Sequence, residues 1–265
     1  MRYTILVLAV VLVFVSAAPV HSHHRGDLEV EIVSDKGDVF FVLPYKEIEK
    51  GRTQVIKRYL EARKGENYSV VIRNNTSSKV GVVIAVDGRN IITGNKSYLK
   101  SNEMMYLVDP YGYAKYEGWR TDDETVHRFY FTDIKDSYAK RTFDDSSAMG
   151  VIAVAAFREK ERPRAFFDRL KGKERSSAAP SSPLASEPKK DESDSAGTGF
   201  GDGKYSPVVK VEFEPERIPF KKMLVKYEWR ETLCRKGIIR CMTEEKNRLW
   251  DEREYAPFPP GYSRR

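Results

Sequence analysis

Apolar and polar positions alternate along much of this chain in short runs broken by turn residues. Residues 28–33 (LEVEIV) and 39–43 (VFFVL) flank the polar stretch SDKGD, which reads as a hairpin connection. Residues 68–73 (YSVVIR) predict the next strand, and NNTSS the turn after it. Residues 80–86 (VGVVIAV) are apolar throughout, as in a central strand covered on both faces. Asp87-Gly88 follows at once and suits a tight type I′ turn, because both residues tolerate positive φ. The returning strand starts over 90–93. Residues 104–108, 127–132 (HRFYFT) and 149–157 (MGVIAVAAF) complete the first set.

Residues 45–63 break the alternation. Ile48, Val55, Ile56, Tyr59 and Leu60 recur at roughly helical spacing, with Lys64-Gly65 as a stop, and predict one short helix. Residues 171–206 hold Ser, Ala, Pro, Gly and charge, with few large apolar side chains. Such a composition buries too little surface to offset ordering entropy and predicts a disordered linker. Alternation returns over 208–213 (VVKVEF), where Val209, Val211 and Phe213 share a face, and over 223–229 (MLVKYEW). Two strands alone are marginal in water, so these are expected to dock on the first set or extend one of its sheets. Residues 256–262 (APFPPGY) are expected to be an extended tail. The expected fold is mainly β, an antiparallel β-sandwich or jelly roll with one short helix and a long disordered insertion. Its domain spans 27–170, the linker 171–206, and the docking strands and tail 207–265.

The N-terminus has a different pattern. Arg2 precedes an apolar run (TILVLAVVLVFV, residues 4–15), and small residues follow it, the arrangement of a secretory signal peptide. Residues 1–22 are therefore expected to be signal peptide and a flexible mature N-terminus, an uncleaved anchor being the alternative. No second apolar stretch of spanning length follows, so the expected location is secreted or periplasmic, with no transmembrane segment after cleavage.

Composition adds exclusions. The 265 residues carry a net charge of +7, with 2 Cys and 4 His, too few for a Cys-rich zinc module or a disulfide-dense miniprotein. In an exported chain Cys234 and Cys241 either close a short bridge or stay as two buried thiols. Basic residues cluster over 158–175 and 230–240 but are interleaved with acids. Export makes nucleic acid an unexpected partner, and a weak attraction to acidic envelope polymers is the more natural use of the charge.

Several segments together carry a resemblance: VGVVIAVDGRNIITG (80–94), MYLVDPYGYAKYEGWR (105–120), VHRFYFT (126–132), DSYA (136–139), MGVIAVAAFRE (149–159) and YEWRETLCRKGII (227–239). They are similar to an uncharacterised family of exported bacterial proteins, secreted or periplasmic, with a β-rich domain. The resemblance implies one exported β domain with a variable linker. It carries no catalytic residues over.

Two constellations could bear function. Tyr111, Tyr113, Tyr116, Trp119 and Arg120 lie within PYGYAKYEGWR, where Pro110, Gly112 and Gly118 mark loop or irregular strand. Aromatic rings beside Arg stack on sugars or anchor protein partners. The competing reading packs Tyr113 and Trp119 as core, with tyrosine hydroxyls at its edge. The second constellation is His23 and His24, which with His127 could bind copper if cleavage exposed His23 as an amino terminus. The acidic runs 122–124 and 144–145 lack the spacing of a calcium loop, and no nucleophile elbow or phosphate-binding loop occurs. The sequence thus leads to an exported binding protein that engages an envelope glycan or a protein partner without a cofactor. A copper-dependent enzyme acting on polysaccharide is the alternative.

Overall fold

A computed structural model of the chain describes residues 26–160 and 195–241. The expected signal peptide, His23 and His24, residues 171–194 of the expected linker and the 256–262 tail lie outside the described residues.

The chain opens with β1 (Leu28–Ser34), followed by a hairpin of β2 (Val42–Lys50) and β3 (Thr53–Ala62). β4 (Asn67–Asn74), β5 (Val80–Val86), β6 (Arg89–Asn90) and β7 (Tyr106–Val108) come next. The aromatic segment supplies β8 (Tyr113–Tyr116) and β9 (Gly118–Arg120), and β10 (Thr125–Asp133) leads into a 3-10 turn (Ile134–Asp136) and α1 (Tyr138–Phe143). β11 (Val151–Arg158), β12 (Ala196–Thr198), β13 (Gly203–Tyr205), β14 (Lys221–Trp229) and α2 (Arg230–Arg235) finish the described chain.

The strands form two sheets. One runs β1-β4-β10-β12, with β8 beside β4 and with β9 and β13 beside β10. The other runs β2-β3-β14-β11-β5-β6, with β7 also beside β5. The fold is mainly β, consistent with a β-sandwich. Alternation along each strand sends one face inward. Leu28, Val30 and Ile32 of β1 and Tyr68, Val70 and Ile72 of β4 meet Val82, Ile84 and Val86 of β5, Ile152 and Val154 of β11, and Val225 and Tyr227 of β14. At the centre Tyr68 stacks on Phe129 and Phe131, with ring centroids 5.3 and 4.4 Å apart. β5 is buried along its whole length, as its apolar run predicts. Its other face, at Val83, is packed with Ala155 and Phe157 under Leu99 and Met105. The Asp87-Gly88 turn has the predicted positive φ at both residues, 47° and 77°.

Three expectations are corrected. Residues 45–63 form the β2–β3 hairpin rather than a helix, and the two short helices lie at 138–143 and 230–235. Gly51, at φ 61°, turns the hairpin, and β3 then pairs in parallel with β14 from Gln54 to Ala62. That long-range ladder outweighs the apparent helical spacing, and it is Thr53, Ile56, Leu60 and Ala62 that turn inward along the strand. Residues 208–213 form no strand: Val209 is 86% and Val211 62% exposed, and only Phe213 turns in, against Gly81. The expected C-terminal joining of a sheet therefore comes from β14 alone, which enters between β3 and β11. The expected linker is too long, because 195–206 belongs to the domain. Ala196, Gly197, Thr198 and Gly199 are buried, and β12 and β13 both pair with β10.

Candidate functional site

The structure divides the aromatic segment that the sequence grouped. Trp119 is 2% exposed, stands edge-on to Phe129 and donates its indole N–H to the Gly199 carbonyl (3.0 Å). Tyr116 is buried against Tyr106, and burial pushes its phenol well above the ordinary value. Its hydroxyl has no partner among the described residues. Arg120 serves the loop itself, donating to the Tyr106 hydroxyl (2.7 Å) and to the carbonyls of Asp122 (3.0 Å) and Ser206 (2.9 Å). Tyr111 and Tyr113 stand at the surface, 73% and 69% exposed, with Arg73 over the Tyr113 ring. The packed-core alternative describes Trp119 and not Tyr113. The five residues do not converge on one open groove.

His127 is stacked on Phe200 at 4.1 Å, and its Nδ1 donates to the Gly201 carbonyl (2.9 Å). Among the described residues, no group of three or more His, Cys, Asp and Glu side chains could hold a metal ion. Cys234 and Cys241 sit at disulfide distance, with Cα atoms 5.4 Å apart. No helix among the described residues is long and apolar enough to cross a membrane.

A different aromatic site emerges where the chain returns at 195. Gly197, Gly199, Gly201 and Gly203 alternate with Thr198, Phe200, Asp202 and Lys204. Gly197 and Gly199 face Ser137 and Tyr130 so closely that a Cβ at Gly199 would overlap the Tyr130 ring, and Gly201 lies against the Arg128 carbonyl. Backbone without side chains on one face lies flush on β10, with the Gly199 and Gly201 N–H groups donating to the Tyr130 and Arg128 carbonyls (2.9 Å each), and this close approach is what requires glycine. Phe200 projects to the other side and remains 38% exposed, stacked with His127 and with Tyr138 (5.2 Å).

The 3-10 turn and α1 complete the site. Ile134 and Ala139 pack with Met149 beneath them. Ser137 caps α1: its hydroxyl donates to the Ile134 carbonyl (2.6 Å) and accepts from the Lys140 N–H (3.3 Å). With Ala139 held inward, Tyr138, Arg141 and Thr142 share the opposite face at helical spacing. Tyr130, Asp136, Tyr138, Arg141, Thr142 and Phe200 line a half-open cleft of about 430 Å³. The Asp136 and Arg141 side chains make no ion pair or hydrogen bond with the described residues. The cleft therefore offers aromatic surface, one carboxylate, one guanidinium fork and one hydroxyl.

Behind the cleft is a buried polar hub. The Asp87 carboxylate accepts from the Gly150 N–H (2.7 Å), the Thr198 N–H (2.7 Å) and the Tyr227 hydroxyl (2.5 Å). Thr198 Oγ1 is also bonded to the hydroxyls of Tyr227 (2.7 Å) and Tyr68 (2.8 Å). Burial pushes the Asp87 carboxyl up to about 6, against the lowering influence of those donors and of the Lys226 charge. The hub fastens β12, and with it Phe200, to both sheets.

Tyr130, Tyr138, Phe200, Asp136 and Arg141 were missed as site residues in the sequence. The available signal was the period-two glycine run, which has the spacing of a strand and not of a random linker. No family model, no curated protein and no solved structure matches the chain.

Proposed function

We propose that this chain is an exported binding protein that engages an envelope component, and that the cleft of Tyr130, Tyr138 and Phe200 is its recognition site. The supporting observation is the lining: ring surface that stays accessible beside Asp136 and Arg141, two charged side chains without a described partner. A pocket that sets aromatic rings beside polar groups fixes a ligand by stacking and orients it by hydrogen bonds. Location in the secreted or periplasmic space follows from the N-terminal sequence pattern and belongs to the same proposal.

A co-sedimentation assay tests this with purified cell-wall polymers and envelope vesicles, comparing the exported chain with Phe200→Ala. Retention of the parent chain and loss in the variant supports the reading. Equal behaviour of the two, or no retention of either, overturns it.

A further inference from the structure

We infer that the ligand of this cleft is a saccharide, with one pyranose ring laid on the Tyr130 ring against the exposed edge of Phe200, whose faces are stacked on His127 and Tyr138, and with its hydroxyls held by Asp136 and Arg141. This rests on the binding reading above and names the chemical class of the ligand.

The rings are fixed before any ligand arrives. Tyr130 rests on the glycine backbone at 199–201 and still lines the cleft. Phe200 keeps its exposed position because His127 and Tyr138 stack with it in nearly parallel planes, at 18° and 25°. Little side-chain freedom remains to be lost on binding.

A pyranose is amphipathic in the matching way. Its C–H face is apolar and suits a ring, and its rim carries hydroxyls that both donate and accept. The Asp136 carboxylate accepts from such hydroxyls, and the Arg141 fork and Thr142 hydroxyl donate to them. The other ligand classes fit less well. One cation facing one anion offers no surplus positive charge for a phosphate group. An acyl chain would desolvate both charged groups and supply them no partner. A proline-rich peptide suits aromatic grooves but brings few N–H donors to the carboxylate.

The test is titration of the full exported chain, by calorimetry and saturation-transfer NMR, with chitohexaose, cellohexaose, laminarihexaose and mannohexaose. A proline-rich decapeptide is the competing probe. At least one sugar is expected to bind. Asp136→Asn and Arg141→Ala should each weaken that affinity by about tenfold or more, the scale of a lost hydrogen bond to a charged group. Both are exposed rim positions, so the unfolding midpoint should stay near that of the parent chain, which keeps the test valid even if Phe200→Ala does not fold. A sugar affinity unchanged in both rim variants overturns the assignment. Peptide binding that Phe200→Ala removes, with no response to any sugar, overturns the saccharide class and leaves the binding reading standing. No response to either kind of probe overturns both.

Discussion

Tyr227 and Asp87, 140 positions apart in sequence, share a buried hydrogen bond of 2.5 Å from hydroxyl to carboxylate. Tyr227 belongs to the last strand of the described chain and Asp87 to a hairpin turn of the same sheet. Thr198, bonded to both, brings in the other sheet. Three distant segments are thereby fixed at one point beneath the cleft.

Removal of that carboxylate should be felt globally. In Asp87→Ala the N–H groups of Gly150 and Thr198 lose their acceptor inside the protein. An expected loss of about 2–4 kcal/mol follows from buried donors left unpaired and from the left-handed backbone at this position. Urea denaturation measures it, and a loss below about 0.5 kcal/mol, the scale of ordinary surface changes, would contradict the role.

The same group predicts a pH dependence. Its native value of about 6 lies above the ordinary 3.8, so between these values the native state holds a proton that the unfolded chain releases. Protonation of Asp87 therefore adds to stability as pH falls from about 6 toward 4, by up to ~3 kcal/mol, a gain absent at neutral pH, where the carboxylate still accepts its hydrogen bonds. Asp35 is held low by Arg128 and Asn67, Glu117 by Lys204 and Lys115, and Asp145 by Ser147, Lys96 and Arg89, in each case against the burial that would raise it. Their contributions are lost only below the ordinary carboxylate range. Unfolding free energy should rise between pH 7 and pH 5 in the parent chain and stay flatter in Asp87→Ala. A falling parent curve over that interval would refute the assignment.

Close approach at the glycine strand gives a steric prediction. A methyl group at Gly199 cannot coexist with the Tyr130 ring, so Gly199→Ala should displace either the ring or β12. The expected cost is about 1–3 kcal/mol, with faster hydrogen exchange at the Trp119 indole as its hydrogen bond to the Gly199 carbonyl loosens. Gly37→Ala is the control. It has open space around the added Cβ and φ of 89°, so only backbone strain of about 1 kcal/mol applies. Equal, small losses in both variants would show that the strand does not press on Tyr130.

Strand order makes a prediction about fragments. β14 lies between β3 and β11, so residues 195–241 supply a central strand to a sheet otherwise built from 26–160. A chain cut between 161 and 194 should stay associated in native gel filtration and part only in denaturant. Separately produced pieces should show little sheet signal by circular dichroism until they are mixed. An independently folded 26–160 fragment would contradict the interlocked topology.

Much of the sheet architecture was legible in particular stretches. The alternation of 28–34 and of 221–229, the unbroken apolar run of 80–86 and the Asp87-Gly88 turn each carry their structure locally, because side-chain period and backbone preference act over neighbouring residues. The candidate site was hardly legible. Trp119 read either as a surface anchor or as core and proved to be core, while Phe200 lay in a stretch whose composition resembled a linker.

The sequence by itself determined a β-rich chain, its principal strands and its tightest turn. Only the tertiary structure decided that 53–62 is a strand, that β14 is central, and that the glycine run lies along β10 against the Tyr130 ring. The physical reason is the same in each case. Local pattern reports which face of a segment avoids water, but the partner that covers it lies scores of residues away: Gln54 beside Lys221, Gly199 against Tyr130, Asp87 under Tyr227.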